Sequence, residues 1–155
     1  MNREGIAYDT VLAVHIVAGF IGFGAMGVSG WFAAQARRRP GSEAVRRYFR
    51  PGTNWVARAV YLVPLSGLAL LYMGGNPGSE AGEAWVVAGV VIWCVATGMA
   101  VLVLWPAEKE LAHLLGTPPP DTGRLGTLSR RVGYSAAVVD VAYVAAVWLM
   151  VAKPH

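Results

Sequence analysis

Val11-Leu-Ala-Val-His15-Ile-Val-Ala-Gly19-Phe-Ile-Gly22-Phe-Gly24-Ala-Met26-Gly27-Val-Ser29-Gly30-Trp31-Phe-Ala33 runs for 23 residues without a Lys, Arg, Asp or Glu. A helix of about 20 apolar residues crosses a hydrocarbon core of about 30 Å, so this stretch is long enough to span a bilayer. It also carries five glycines and a histidine, which a helix facing only lipid does not need. At about 100° per residue, His15, Ala18, Gly19, Gly22, Met26, Ser29 and Ala33 fall on one side. Small residues there let neighbouring backbones approach closely, so this face is a packing surface with an imidazole near its start.

The whole chain fits that setting. Its 155 residues suit one domain. They are 55% hydrophobic and only 14% charged, well below the usual quarter of a soluble domain. Three further apolar runs cover residues 55–73, 85–105 and 132–152; the first contains Arg58, the last Asp140, and the middle one no charge. The expected fold is therefore all-α, a four-helix transmembrane bundle forming one integral membrane domain. The first run is not a signal peptide by pattern: it is too long, and its flank sets Arg3 against Glu4 and Asp9.

Orientation follows from the cations. Arg37, Arg38, Arg39, Arg46, Arg47 and Arg50 lie between runs one and two; Lys109, Arg124, Arg130 and Arg131 lie between runs three and four. Only Arg3 and Lys153 oppose them, which places both basic loops in the cytoplasm and both termini outside. The calculated pI of 9.6 thus reflects topology, and no nucleic-acid partner is implied. The single Cys94 excludes an intramolecular disulfide.

Local signals divide the chain further. Residues 1–10 read as a short outer tail, and Pro40-Gly41 stops the first helix. Ser42 is positioned to cap a short turn through Tyr48. Pro64 breaks the second span near mid-membrane and frees the Val60 carbonyl, which then needs another donor. Gly74-Gly75-Asn76-Pro77-Gly78 is a turn, Pro118-Pro119-Pro120 a stiff linker, and the last helix is expected to begin after Arg131.

Two places could carry chemistry. His15, with Gly19 and Gly22 beside it, is either hydrogen-bonded to a neighbouring helix or the ligand of a haem or metal set in a glycine-lined groove. Met26 lies about 16 Å further along the helix, too far to be the second axial ligand. Arg58 and Asp140 both lie about 10–14 Å in from the cytoplasmic starts of their helices. Charges at that depth are costly and usually turn inward and pair. Tyr61 and Tyr143 follow three residues later and would complete a polar cluster. Gly24 and Gly27 offer a face for a second copy or a membrane partner. No hydrolase elbow, phosphate-binding glycine loop or zinc spacing occurs in the sequence.

Leu12-Ala-Val-His15 followed by Gly22-Phe-Gly24, Pro64-Leu-Ser-Gly67-Leu, and Leu149-Met150-Val-Ala-Lys153-Pro154 resemble a family of small bacterial integral membrane proteins of unknown function. That resemblance implies four helices in the bacterial inner membrane and no stated activity. The His-then-Gly first helix is similar, more distantly, to membrane proteins of the copper-resistance D type and to the haem-binding protoporphyrinogen oxidase of bacteria. The latter implies haem b on His15; its functional lysine has no counterpart, because no hydrophobic run here contains a lysine. The expectation is a binding or accessory protein in the lipid bilayer, not an enzyme, with a buried Arg58–Asp140 cluster. Its rivals are a haem- or metal-binding redox protein using His15 and a small proton-linked transporter using Asp140.

Overall fold

The computed structural model describes residues 3–50, 52, 54–74, 83–117 and 121–152. The turn at 75–78, the linker at 118–120 and the tail at 153–155 lie outside the described residues. Helix α1 covers Arg3–Arg38, α2 Glu43–Tyr48, a 3₁₀ segment Ala57–Tyr61, and α3 Leu62–Met73. Helix α4 (Ala84–Met99) passes through a π segment, Ala100–Leu104, into α5 (Trp105–Gly116), and α6 is Thr122–Ala152. Strands are absent among the described residues.

Three helical stretches are long and apolar enough to cross a membrane: Gly5–Arg38, Ala84–Gly116 and Thr122–Ala152. The fourth apolar stretch, Ala57–Met73, is shorter. Only 17–28% of the most apolar window of each long helix is buried inside the protein, so their outer surfaces require an apolar solvent. Phe20, Leu65, Val90, Leu102, Val141 and Val144 are among the large side chains that face outward.

Two boundaries differ from the sequence expectation. The proposed outer tail is helical from Arg3, with the Thr10 hydroxyl bonded to the Ile6 carbonyl at 2.7 Å inside the same helix. Helix α6 starts at Thr122 rather than after Arg131, because the Asp121 carboxylate accepts the Gly123 and Arg124 N–H groups at 2.9 and 3.0 Å. Pro40 does follow the end of α1, and α2 does run to Tyr48. Ser42 stands at its N-cap without a side-chain hydrogen bond.

Both interior prolines are accommodated without a break. Pro64 is the third residue of α3, directly after the 3₁₀ segment, so the tighter turn lies ahead of the proline. The Val60 carbonyl that Pro64 cannot serve accepts the Trp93 indole N–H at 3.3 Å. Pro106 falls just beyond the π segment, where the Trp105 N–H reaches five residues back to the Ala100 carbonyl. That wider turn carries the helix past the proline, and α5 continues to Gly116.

Helix α1 makes its most extensive contact with α6 and a second seam with the 3₁₀ segment and α3, while α4 lies on α6. The seams of α1 are set by glycines. A Cβ at Gly22 would stand 2.6 Å from the Val60 backbone nitrogen, and one at Gly30 would stand 2.8 Å from the Ala136 Cβ. The buried core gathers towards the end that carries the basic loops, through Ala33, Ala36, Val60, Leu104, Leu111 and Val132.

Gly22→Ala must push α1 off the backbone of Val60, a cost of about 1–3 kcal/mol. Gly24→Ala, with nothing within 4 Å of its added methyl, should be neutral or slightly stabilising. Thermal unfolding in detergent distinguishes them: equal melting temperatures for the two variants would contradict the α1–Val60 contact. Trp93→Phe removes the indole N–H that serves the Val60 carbonyl and should cost about 0.5–1.5 kcal/mol in the same assay.

Candidate functional site

His15 is half-buried on α1, and its Nδ1 lies 3.0 Å from Ser66 Oγ on α3. The Ser66 hydroxyl is itself directed at the Leu62 and Val63 carbonyls, 2.6 and 3.1 Å away. With its proton committed there, Ser66 accepts from Nδ1–H, and the imidazole is tied to the neighbouring helix through that nitrogen. Gly67 makes room for the ring: a Cβ there would meet His15 Cε1 at 3.3 Å.

The glycines beside His15 do not form an open groove. Gly19 faces the Tyr143 ring, with Cε2 3.5 Å from where a Cβ would stand, and Gly22 faces the Val60 backbone. A porphyrin on this face would have to displace Tyr143 and separate α1 from the 3₁₀ segment, so the residues present do not fit a haem there. Met26, 1% exposed, is core. Among the described residues, no three His, Cys, Asp or Glu side chains gather in a way that could hold a metal ion.

The four residues expected as one polar cluster are divided between two places. Asp140 on α6 sets its carboxylate over Gly27 of α1; a Cβ at that glycine would fall 2.7 Å from Oδ2. Tyr143, one turn on, stacks against Phe23 with ring centroids 4.8 Å apart. Gly27 is therefore occupied within the chain and does not present a free face to a partner. The Arg58 guanidinium lies instead over the Trp105 ring, 4.2 Å from its centroid, and Tyr61 meets the same ring edge-on at 5.9 Å. The ion pairs among the described residues are Arg47–Glu43 and Arg124–Glu110, and Arg58–Asp140 is not one of them. The difference is one of direction: the 3₁₀ segment turns Arg58 towards α5, whereas Asp140 faces α1.

Glu108, on the turn after Trp105, lies in the field of Arg58 without forming an ion pair with it, and also interacts with the Ser29 hydroxyl. Ser29, fully buried, lies 2.6 Å from the Tyr48 hydroxyl. Burial holds the Tyr48 hydroxyl above its usual pKa, against the Ser29 hydrogen bond, so it stays protonated near neutrality. The Tyr48 ring stacks on Phe32 with centroids 4.2 Å apart. Asn54 also bonds to Tyr48 and accepts the Ala57 N–H at 3.3 Å, starting the 3₁₀ segment.

Tyr48, Asn54, Arg58 and Glu108 line a cavity of about 620 Å³. Arg50, Arg58, Lys109 and His113 line it from three separate elements, with Tyr48, Asn54, Trp105 and Glu108. Three fixed cations thus converge with a single carboxylate, and that carboxylate already faces Ser29 and Arg58. The arrangement can hold an anion through several directed donors while excluding part of its water.

Pairing the intramembrane charges with each other overlooked Ser29, Tyr48, Trp105 and Glu108. A periodic signal was available: Trp105, Glu108, Ala112 and Leu115 recur at helical spacing, which sets a carboxylate on an apolar stripe. Nothing in spacing alone shows that Tyr48 reaches back to Ser29.

Gly27→Ala should destabilise the fold by about 1–3 kcal/mol because the new methyl meets the Asp140 carboxylate. Asp140→Ala should remove most of that penalty. A double-mutant cycle on unfolding is expected to give a coupling of at least about 0.5–1 kcal/mol, and additivity would show that the two residues do not touch.

Comparison with known proteins closes the description of the site. No curated protein matches the chain, and no solved structure does. The family described as "Predicted integral membrane protein (DUF2269)" matches residues 9–154. That match takes in all the cavity side chains and every helix except the first six residues of α1, and the chain belongs to this family of integral membrane proteins.

Proposed function

We propose that this protein is a four-span membrane protein that binds a small polar ligand in the cavity at its basic end, without carrying out redox chemistry. The observation that carries this reading is the cavity itself: Arg58 stacked on Trp105, with Glu108, Arg50 and Lys109 lining the same space of about 620 Å³. Side chains serving only to fix helix register would need no such space around them.

Four spans are supported by length. The Ala57–Met73 stretch measures about 28 Å at 2.0 Å per 3₁₀ residue and 1.5 Å per α residue, close to the thickness of a hydrocarbon core. The ten cations of the two basic connections then lie on one side, and the excess assigns that side to the cytoplasm. The cavity opens at headgroup level on that face, and both termini are outside.

His15 has a structural part in this reading. It is tied to Ser66, and the glycines around it are filled by Tyr143 and Val60. A ligand held by hydrogen bonds and charge in the cavity needs neither His15 nor a cofactor.

A cysteine at Ala112, a half-buried wall residue, tests both the cavity and its sidedness. In a Cys94→Ser background, Ala112→Cys should react with a membrane-impermeant maleimide in inverted vesicles and be protected in intact cells. Labelling from the outside, or in neither preparation, would overturn the proposal.

A further inference from the structure

We propose that the cavity receives a phosphate group, carried either by an anionic lipid headgroup or by a soluble phosphate compound. The inference rests on the cavity being a ligand site and names the chemistry that it selects.

The argument is one of charge and geometry. Arg50 follows α2, Arg58 belongs to the 3₁₀ segment, and Lys109 is on α5, so the three cations approach the space from different elements. A lone carboxylate is satisfied by one guanidinium fork. A phosphate, with three or four oxygens, is better matched by cations on several sides.

Glu108 does not cancel this field. Its carboxylate interacts with the Ser29 hydroxyl and lies in the field of Arg58, and Arg50, Arg58 and Lys109 have no ion-pair partner among the described residues. Glu108 and Trp105 act on Arg58 as positioning groups: one attracts the guanidinium, and the other supports its flat face at 4.2 Å. A stacked guanidinium still has its edge N–H donors free. Trp105, a wall residue only 7% exposed, adds a buried indole N–H with no partner among the described residues.

The surroundings match the same chemistry. Phe49 and Ala112 give the cavity apolar wall, and Trp105 ends the third apolar run of the chain. Charge and apolar surface meet here as they do at the phosphate level of a bilayer.

The test uses the full-length protein in two arms. In the first, equilibrium dialysis measures retention of radiolabelled inorganic phosphate by protein in a neutral detergent. In the second, protein in phosphatidylcholine vesicles is given spin-labelled phosphatidic acid, and the immobilised fraction is compared with that of spin-labelled phosphatidylcholine. Saturable binding in the first arm identifies a soluble phosphate, whereas selective immobilisation only in the second identifies a lipid headgroup. In the arm that binds, Arg58→Gln should lower affinity about tenfold or more. Lys109→Gln, at an exposed rim position that leaves the core intact, should also weaken binding, and Arg124→Gln, outside the cavity, should not. Binding in neither arm, or binding unaffected by both Arg58→Gln and Lys109→Gln, overturns the inference. If Ala112→Cys still labels from the cytoplasmic side in that case, the cavity remains open on that face and it is the assignment to phosphate that fails.

Discussion

The backbone of α1 can lie against Val60 because Gly22 has no side chain. In water, apolar burial would hold such helices together; in lipid the surrounding chains are as apolar as the helix surfaces, and that force is absent. What remains is close van der Waals contact, which requires small residues at the seam. Gly22 supplies it towards the 3₁₀ segment, and Gly27 and Gly30 supply it towards α6. With a seam on each side, α1 is the helix against which the others are placed, and His15 adds a hydrogen bond to α3 across one of them.

The second constraint is that backbone carbonyls in an apolar medium must be served from within the protein. Two prolines raise the problem, and each is met differently. At Pro64 the freed Val60 carbonyl is taken by Trp93, and the preceding turn tightens to 3₁₀. At Pro106 the preceding turn widens to π. Both adjustments are at the level of the cavity: the tightened turn carries Arg58, and the widened one ends at Trp105. The stacking of Arg58 on Trp105 is thus built from two local departures from α geometry, brought together by packing.

Charge is distributed with the same economy. Glu108 is half-buried and is supported by Ser29 and Arg58, while Ser29 is in turn held with Tyr48 from the short helix α2. Removing charge from water is costly without partners, so these residues form a connected network and not separate contacts. Asp140 lies apart from them, its carboxylate seated over Gly27 at the α1–α6 seam. One region of the protein thus combines fixed charge, hydrogen-bond donors and space, and the ligand reading rests on that combination.

Much could be read from the chain alone: its membrane class, the apolar runs, the stop at Pro40, the need of Val60 for another donor, and the packing role of the small-residue face on α1. These follow from composition, from run length and from backbone chemistry, all properties local to the sequence. Which charges meet was not local. Arg58 and Asp140 lie at similar depths, but depth is a single coordinate, and the rotation of each helix decides the partner; that rotation is set by Gly22 against Val60 and Gly30 against Ala136. Only the tertiary structure could join Tyr48 to Ser29, set Arg58 on Trp105, and close the glycine face beside His15, because each of these depends on how two distant segments are turned towards one another.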